Sequence, residues 1–361
     1  MKRLTTKLNT IDRKVYTQGL LLGFISLFGA FFFALYFVVQ IIIGKYQMFL
    51  KSANLSNDEF ITLIKSVDYK KEVSNQTFLI LGTDSLDNRP GFPQLTDTMI
   101  VIQANPNSAE IKTLPLPRDL WNDAYKTKIN ALYEYGKERD IDNPTNFPEE
   151  VVSEMIDQKI DHVLVISLSQ LAEIIDLLGY IELDVKEGFI DEKFPRTDVD
   201  ITVEKDPAKL YETVEFKSGV QVMNGETALK YIRSRNSADG NFGNDIDRSS
   251  RQQQVITAIA ERVSNPKLFW YYPHLAGELL KFYNNNFNQY FKLENAAELG
   301  INLIKNSDEL TINSYSLPIY PGDINGVIEH PANLSPYQNQ WVYIIKDQES
   351  FEQFIKSALD Q

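Results

Sequence analysis

Cysteine is absent from the 361 residues, and histidine occurs only at His162, His274 and His330. The first absence removes disulfides, thiolate nucleophiles and thiolate-held metals, and leaves the redox compartment undetermined. The second argues against a Ser-His-Asp triad and against a histidine-rich metal site, because the three imidazoles are widely spaced. Positive charge is also short: 36 Lys and Arg stand against 49 Asp and Glu, a net charge of −13. Such a field repels nucleic acid, so no nucleic-acid partner is expected and any polyanion must be met locally. Internal repeats and low-complexity tracts are missing as well. What remains, 43% hydrophobic and 24% charged residues, describes a packed body of one large or two small domains.

Gly19 to Ile43 is almost wholly apolar, interrupted by Ser26, Gln40 and glycines. It exceeds the about 20 residues needed to cross a bilayer. A signal peptide has an apolar region of only about 7–15 residues followed by a small-residue cleavage site, and neither feature fits. Lys2, Arg3, Lys7, Arg13 and Lys14 precede the run with Asp12 opposing them, which puts the N-terminus in the cytoplasm by the positive-inside rule. No comparable stretch recurs. The expectation is a single-pass cell-membrane protein: a cytoplasmic basic tail over 1–17, a transmembrane helix over 18–43, a stalk or linker helix over 44–76, and an extracytoplasmic body.

Within that body, Thr77 to Gly82 reads as a buried strand ending in glycine, and a second strand, Thr98 to Ile102, begins right after Asp97. A third, Ala109 to Leu114, runs into Pro115-Leu116-Pro117-Arg118-Asp119. Asp84, Asp97, Arg118 and Asp119 thus fall at strand ends or in adjoining loops, where open α/β sheets gather their ligands. Further strands are predicted at Val163–Ile166 and Ile181–Val185, with helices over Ser169–Leu178, Asn224–Ile232 and Ile246–Val263. Alternating strands and helices make the class α/β, with a central, mostly buried sheet covered on both faces. Residues 266–361 complete that body or form an appendage to a domain at 77–265.

Arg233, Arg235, Arg248 and Arg251 crowd into a short stretch of this acidic chain. Guanidinium groups stay charged, and their forked donors match phosphate oxygens, so a multiply charged anion would relieve their repulsion. The alternative is a salt-bridged surface helix or, with Arg118 included, an ion-pair network with Asp119, Asp245 and Asp247, and both readings can hold at once. Spacings of three and four put Arg248, Arg251 and Gln252 on one helix face near an N-terminus, itself favourable to phosphate.

With these residues in view, the chain resembles the LytR-CpsA-Psr family of membrane-anchored cell-wall ligases. The matching pieces, in the family's order, are Leu81-Gly82-Thr83-Asp84-Ser85, Thr96-Asp97-Thr98-Met99, Leu116-Pro117-Arg118-Asp119, Lys128-Ile129-Asn130-Ala131, Leu178-Gly179, Met223 through Arg235, and Asp245-x-x-Arg248-x-x-Arg251-Gln252. Each is weak alone, and together they are specific over 78–263. The resemblance implies an α/β/α sandwich around a mixed sheet, with an apolar tunnel for a polyprenyl chain. It also implies transfer of a phosphate-linked glycopolymer from a polyprenyl-pyrophosphate carrier to peptidoglycan. The matched positions imply that Asp84 and Asp97 hold Mg²⁺ and that Arg118, Arg233, Arg235 and Arg248 clamp the pyrophosphate, with Gln252 as a neutral donor. Arg251 and Lys128 are further phosphate-binding candidates. Leu95 stands where the family commonly carries Arg, and Arg89 in the same loop is the candidate replacement.

The acceptor hydroxyl also benefits from a base, and with histidine scarce a carboxylate is the available choice. Asp245, between the arginine clusters, is that candidate; its other reading is a helix N-cap. Two further classes stay open: a hydrolase acting on the same lipid-linked pyrophosphate, and a non-catalytic membrane anchor that binds lipid or wall polymer.

Overall fold

The computed structural model describes residues 2–83, 94–196, 199, 204–234, 245–305 and 311–359. It opens with one helix, α1 (Lys2–Ala53), whose stretch from Val15 on is long and apolar enough to cross a bilayer. Large apolar side chains from Val15 to Ile43 stay exposed, as those of a lipid-facing helix would. The helix continues past Ile43 because its polar end has its own packing: Tyr46 and Phe49 lie 5.7 and 5.2 Å from Phe60 of α2 (Asn57–Ser66). A capping box starts α2, with Ser56 Oγ accepting from the Glu59 amide at 3.2 Å and the Glu59 carboxylate accepting from the Ser56 amide at 2.8 Å.

A meander follows: β1 (Gln76–Thr83), β2 (Thr96–Asn105) and β3 (Glu110–Leu116), each antiparallel to the next. After the short pair β4 (Trp121–Asn122) and β5 (Thr127–Lys128) come α3 (Leu132–Arg139) and α4 (Asn146–Ile156). These lead to β6 (His162–Ser167), which lies parallel to β1. The next segments are α5 (Leu168–Leu177), β7 (Ile181–Val185), β8 (Phe189–Pro195), α6 (Pro207–Leu210), β9 (Tyr211–Phe216) and β10 (Gly219–Met223). β7 pairs with β10 and β8 with β9 beside the main sheet. Five helices and a strand follow: α7 (Gly225–Arg233), α8 (Asp245–Val263), α9 (Pro266–Tyr271), α10 (Pro273–Asn286), α11 (Leu293–Lys305) and β11 (Thr311–Ser314). The chain then passes through β12 (Ile319–Tyr320), β13 (Ile328–Glu329) and β14 (Ile344–Ile345) to α12 (Gln348–Leu359).

The main sheet has the order β11-β3-β2-β1-β6 and is mixed. Alternation along its strands explains the layers. Leu79 and Leu81 of β1, Met99 and Val101 of β2, and Leu114 and Leu116 of β3 turn to one face, where α3, α4 and α12 bury them with Leu132, Val152, Phe351 and Ile355. Phe78, Ile102 and Ala104 turn to the other and meet Phe291 and Leu299 near and on α11. A third cluster joins α5, α7 and α8 to β7 through β10. The result is a mixed sheet between helical layers, preceded by the long apolar helix.

Candidate functional site

The register brings the C-terminal ends of β1, β3 and β6 and the N-terminal start of β2 to a single edge of the sheet. At that edge Gly82 has a structural reason: a Cβ there would fall 2.8 Å from the Thr98 Cβ across the strand pair. β2 starts at Thr96, so Asp97 is its second residue rather than a residue just before the strand. The extension follows from pairing with Thr83 across a register shift and from the Thr96 hydroxyl, which donates to the Asn130 carbonyl at 3.2 Å.

From Asp97 runs a chain of alternating charges. Arg118 Nη1 donates to Asp97 Oδ1 at 2.6 Å, and its Nε donates to Asp119 Oδ2 at 3.3 Å. Lys128 Nζ donates to the other Asp119 oxygen, Oδ1, at 2.6 Å. Asp119 is buried, whereas the side chains of Asp97 and Arg118 are 34% and 24% exposed, so the group is closed at Asp119 and opens toward Asp97. The backbone is fixed on two sides. Asn130 donates its amide to the Arg118 carbonyl at 3.2 Å, and Tyr343 donates its amide to the Asp119 carbonyl at 3.0 Å. The turn from β3 into β4 is thus gripped by the segment after β5 and by the chain just before β14.

A second group forms where α7 meets α8. Phe189, Phe216 and Tyr231 pack ring to ring, with centroids 5.0–6.0 Å apart. The Arg251 guanidinium lies 4.9 Å from the Phe189 ring and donates to the Ser234 carbonyl, and the Arg233 guanidinium lies 5.6 Å from the Phe194 ring. Arg251 therefore holds the backbone between Arg233 and Arg235. Burial pushes the Tyr231 phenol above its ordinary value, opposed by the Arg251 charge, and the neutral hydroxyl donates to Gln254 Oε1 at 2.8 Å. Arg248 and Arg251 are both buried and Gln252 is half-buried, on the one face that the three-and-four spacing predicted. α8 is tied to the main sheet where Gln253 Nε2 donates to the Tyr315 carbonyl, 2.7 Å, next to the end of β11.

The structure thus joins Asp97, Arg118 and Lys128 in one group, and Arg233 and Arg251 in the other. Asp84, Arg89 and Arg235 lie outside the described residues. Asp245 is the first residue of α8, and its side chain is likewise outside. Sequence reading placed Asp119 at a strand end as a possible partner of the arginines and passed over the aromatic floor beneath Arg233 and Arg251. Asp119 was visible as half of the Arg118-Asp119 dipeptide, but the Lys128 contact comes from tertiary folding. Phe189 and Phe194 lie on a strand that was not predicted, on either side of a register shift that breaks its in-out pattern.

As for a metal, Asp97 supplies a partly open carboxylate oxygen donor, the ligand type that Mg²⁺ takes once or twice while water and phosphate complete its shell. Among the described residues no group of three or more His, Asp or Glu converges as a metal cage.

Residues 42–352 match the LytR_cpsA_psr family. The chain is 29% identical over 250 residues to the polyisoprenyl-teichoic acid–peptidoglycan teichoic acid transferase TagV of Bacillus subtilis, covering 64% of this chain and 56% of TagV. It is also 29% identical over 245 residues to the regulatory protein MsrR of Staphylococcus aureus, covering 66% of this chain and 65% of MsrR. The chain therefore spans less than two thirds of either relative. The crystal structure of B. subtilis TagV shares the fold, with a TM-score of 0.54 at 22% identity over 80% of this chain and 99% of that one. A mixed sheet between helical layers and a family match over most of the length agree: the chain belongs to the LytR_cpsA_psr family.

Proposed function

We propose that the protein is a membrane-anchored phosphotransferase that moves a phosphate-linked glycopolymer from a polyprenyl-pyrophosphate carrier to a peptidoglycan hydroxyl. The observation that carries this reading is the charge chain at the sheet edge, in which a buried Asp119 holds Arg118 and Lys128 beside the more open Asp97. The name of TagV, a polyisoprenyl-teichoic acid–peptidoglycan teichoic acid transferase, supports the substrate class.

In the proposed reaction the acceptor hydroxyl oxygen attacks the phosphorus that bears the polymer. A new P–O bond forms, the P–O bond to the carrier phosphate breaks, and the hydroxyl proton passes to Asp245. Arg118, Arg233, Arg235 and Arg248 neutralise the diphosphate and the departing prenyl phosphate, which carries the charge that develops as the bond breaks. Gln252 adds a neutral donor, Lys128 a second cation beside Arg118, and Arg89 takes the place of an arginine at Leu95. Arg251 acts from beneath by holding Ser234. Asp84 and Asp97 are the proposed holders of a Mg²⁺ ion, which when bound would lend further positive charge to the phosphate oxygens. The catalytic body lies outside the cell in this reading, with α1 in the membrane and the basic tail in the cytoplasm.

The full-length chain incubated with lipid-linked polymer should yield a polymer–peptidoglycan conjugate only when peptidoglycan is added. Equal release of carrier phosphate without acceptor, and no conjugate with it, would establish the hydrolase instead. No turnover in either arm would leave a binding protein.

A further inference from the structure

α9 ends in Trp270 and Tyr271, and Tyr272 follows directly; they are 59%, 68% and 52% exposed. Folded bodies scatter or bury large rings, so three adjacent ones left bare point to something that covers them. Their place in the fold says what. The Lys45 ammonium donates to the Trp270 carbonyl and stands 5.2 Å from the centroid of its ring. Lys45 is the second residue beyond Ile43, where the exposed apolar run of α1 stops. The aromatic trio is therefore fixed beside α1 at the level where that helix ceases to be apolar.

The attachment is rigid. α10 starts one residue after Tyr272 and packs along the polar end of α1. Gly277 on α10 comes so close that a Cβ there would fall 2.5 Å from the Phe49 carbonyl oxygen and 2.7 Å from the Ala53 nitrogen. Met48, one turn beyond Lys45, is a further exposed apolar side chain of the same stretch.

Tryptophan and tyrosine combine an apolar body with a polar tip, and they favour the headgroup level of a bilayer; lysine at a helix end extends its ammonium to the same layer. We propose that Trp270, Tyr271 and Tyr272 dip into the boundary between headgroups and acyl chains of the bilayer that α1 crosses. The body is then seated on the membrane in one orientation instead of swinging on a stalk. This inference rests on α1 being a membrane span, and the continuity of the trio with that span through Lys45 favours lipid over a protein partner.

The test uses the full chain reconstituted in phosphatidylcholine vesicles, with or without a lipid carrying a nitroxide on the acyl chain close to the headgroup or near the chain end. The difference in emission between the wild type and Trp270→Phe isolates Trp270 from Trp121 and Trp341. That difference is expected to be lost with the shallow nitroxide and largely kept with the deep one. Tyr271→Trp in the Trp270→Phe background should give the same shallow quenching. Alkaline carbonate extraction separates the two ways of failing. Protein that resists extraction yet keeps its Trp270 emission beside the shallow nitroxide overturns the seating, and the trio then faces water or a protein. Protein released by carbonate has no membrane span, and the seating falls with that reading.

Discussion

At the scale of single residues, Asp119 and Asp97 are both carboxylates touching Arg118, yet their surroundings assign them different work. Both oxygens of the buried Asp119 are taken, one by Arg118 and one by Lys128. Removing its charge takes the carboxylate from Lys128 and leaves Arg118 with Asp97 alone, in a largely closed place, so Asp119→Asn should lower stability by about 3 kcal/mol in urea unfolding. Asp97 is more open. Asp97→Asn should cost less than about 1 kcal/mol while lowering transfer at least ~100-fold, the loss expected when a charge that serves the transition state is removed. Equal stability losses for the two variants would contradict this division. The sequence pointed to Asp97 and Arg118 through their strand-end positions. It could not rank Asp119 above its neighbours, because burial and the Lys128 contact depend on how β5 folds back against the end of β3.

Among the elements, the predicted strand at Thr77–Gly82 was legible as an apolar run ending in glycine, and the strand at Ile181–Val185 and the helix beginning near Ile246 by their clean periods. Others were not. The β8 and β9 pair has only one buried face, with Asp191 among its buried residues, and its register shifts between Asp191 and Phe194, so the alternation that would reveal it is interrupted. β14 is only two residues long, since Tyr343 just before it spends its backbone bonds on Asp119 and Trp121. The contact between α5 and α7 shows why a glycine opens α7: a Cβ at Gly225 would fall 2.4 Å from the Ala172 carbonyl oxygen, and its amide donates to Asp176 Oδ1 at 2.7 Å. Gly225→Ala must push the two helices apart. Urea unfolding should report a loss of about 1–3 kcal/mol, with transfer activity falling as well because α7 carries Arg233; an unchanged midpoint would refute the close approach.

For the whole molecule, the segment after α2 is tied to α11 on the far side of the sheet from α3 and α4. Glu298 accepts from the Asp68 amide at 3.1 Å and from Lys71 Nζ at 2.6 Å, and Asn302 donates to the Lys71 carbonyl at 3.0 Å. The hydrogen bond from Lys71 holds the Glu298 carboxyl below its ordinary value of 4.5. A carboxylate lowered in the folded state stabilises above its unfolded value, and that contribution is lost as pH falls through the lowered one. Glu298→Gln should therefore be less stable than the wild type by about 1 kcal/mol at neutral pH, with the gap closing below pH 4.5. A gap that holds or widens in acid would exclude this tie. No local pattern signals this tie, because its two partners stand more than two hundred positions apart.

The grip of Tyr343 on Asp119 has a consequence for biosynthesis. A ribosome makes Arg118 and its neighbours long before the residue that fastens them, and the core helix bearing Phe351 and Ile355 emerges later still. Fastening of the Asp97-Arg118-Asp119-Lys128 group therefore waits for a residue more than two hundred positions downstream, and a chain interrupted between the two carries the apolar helix without that clasp.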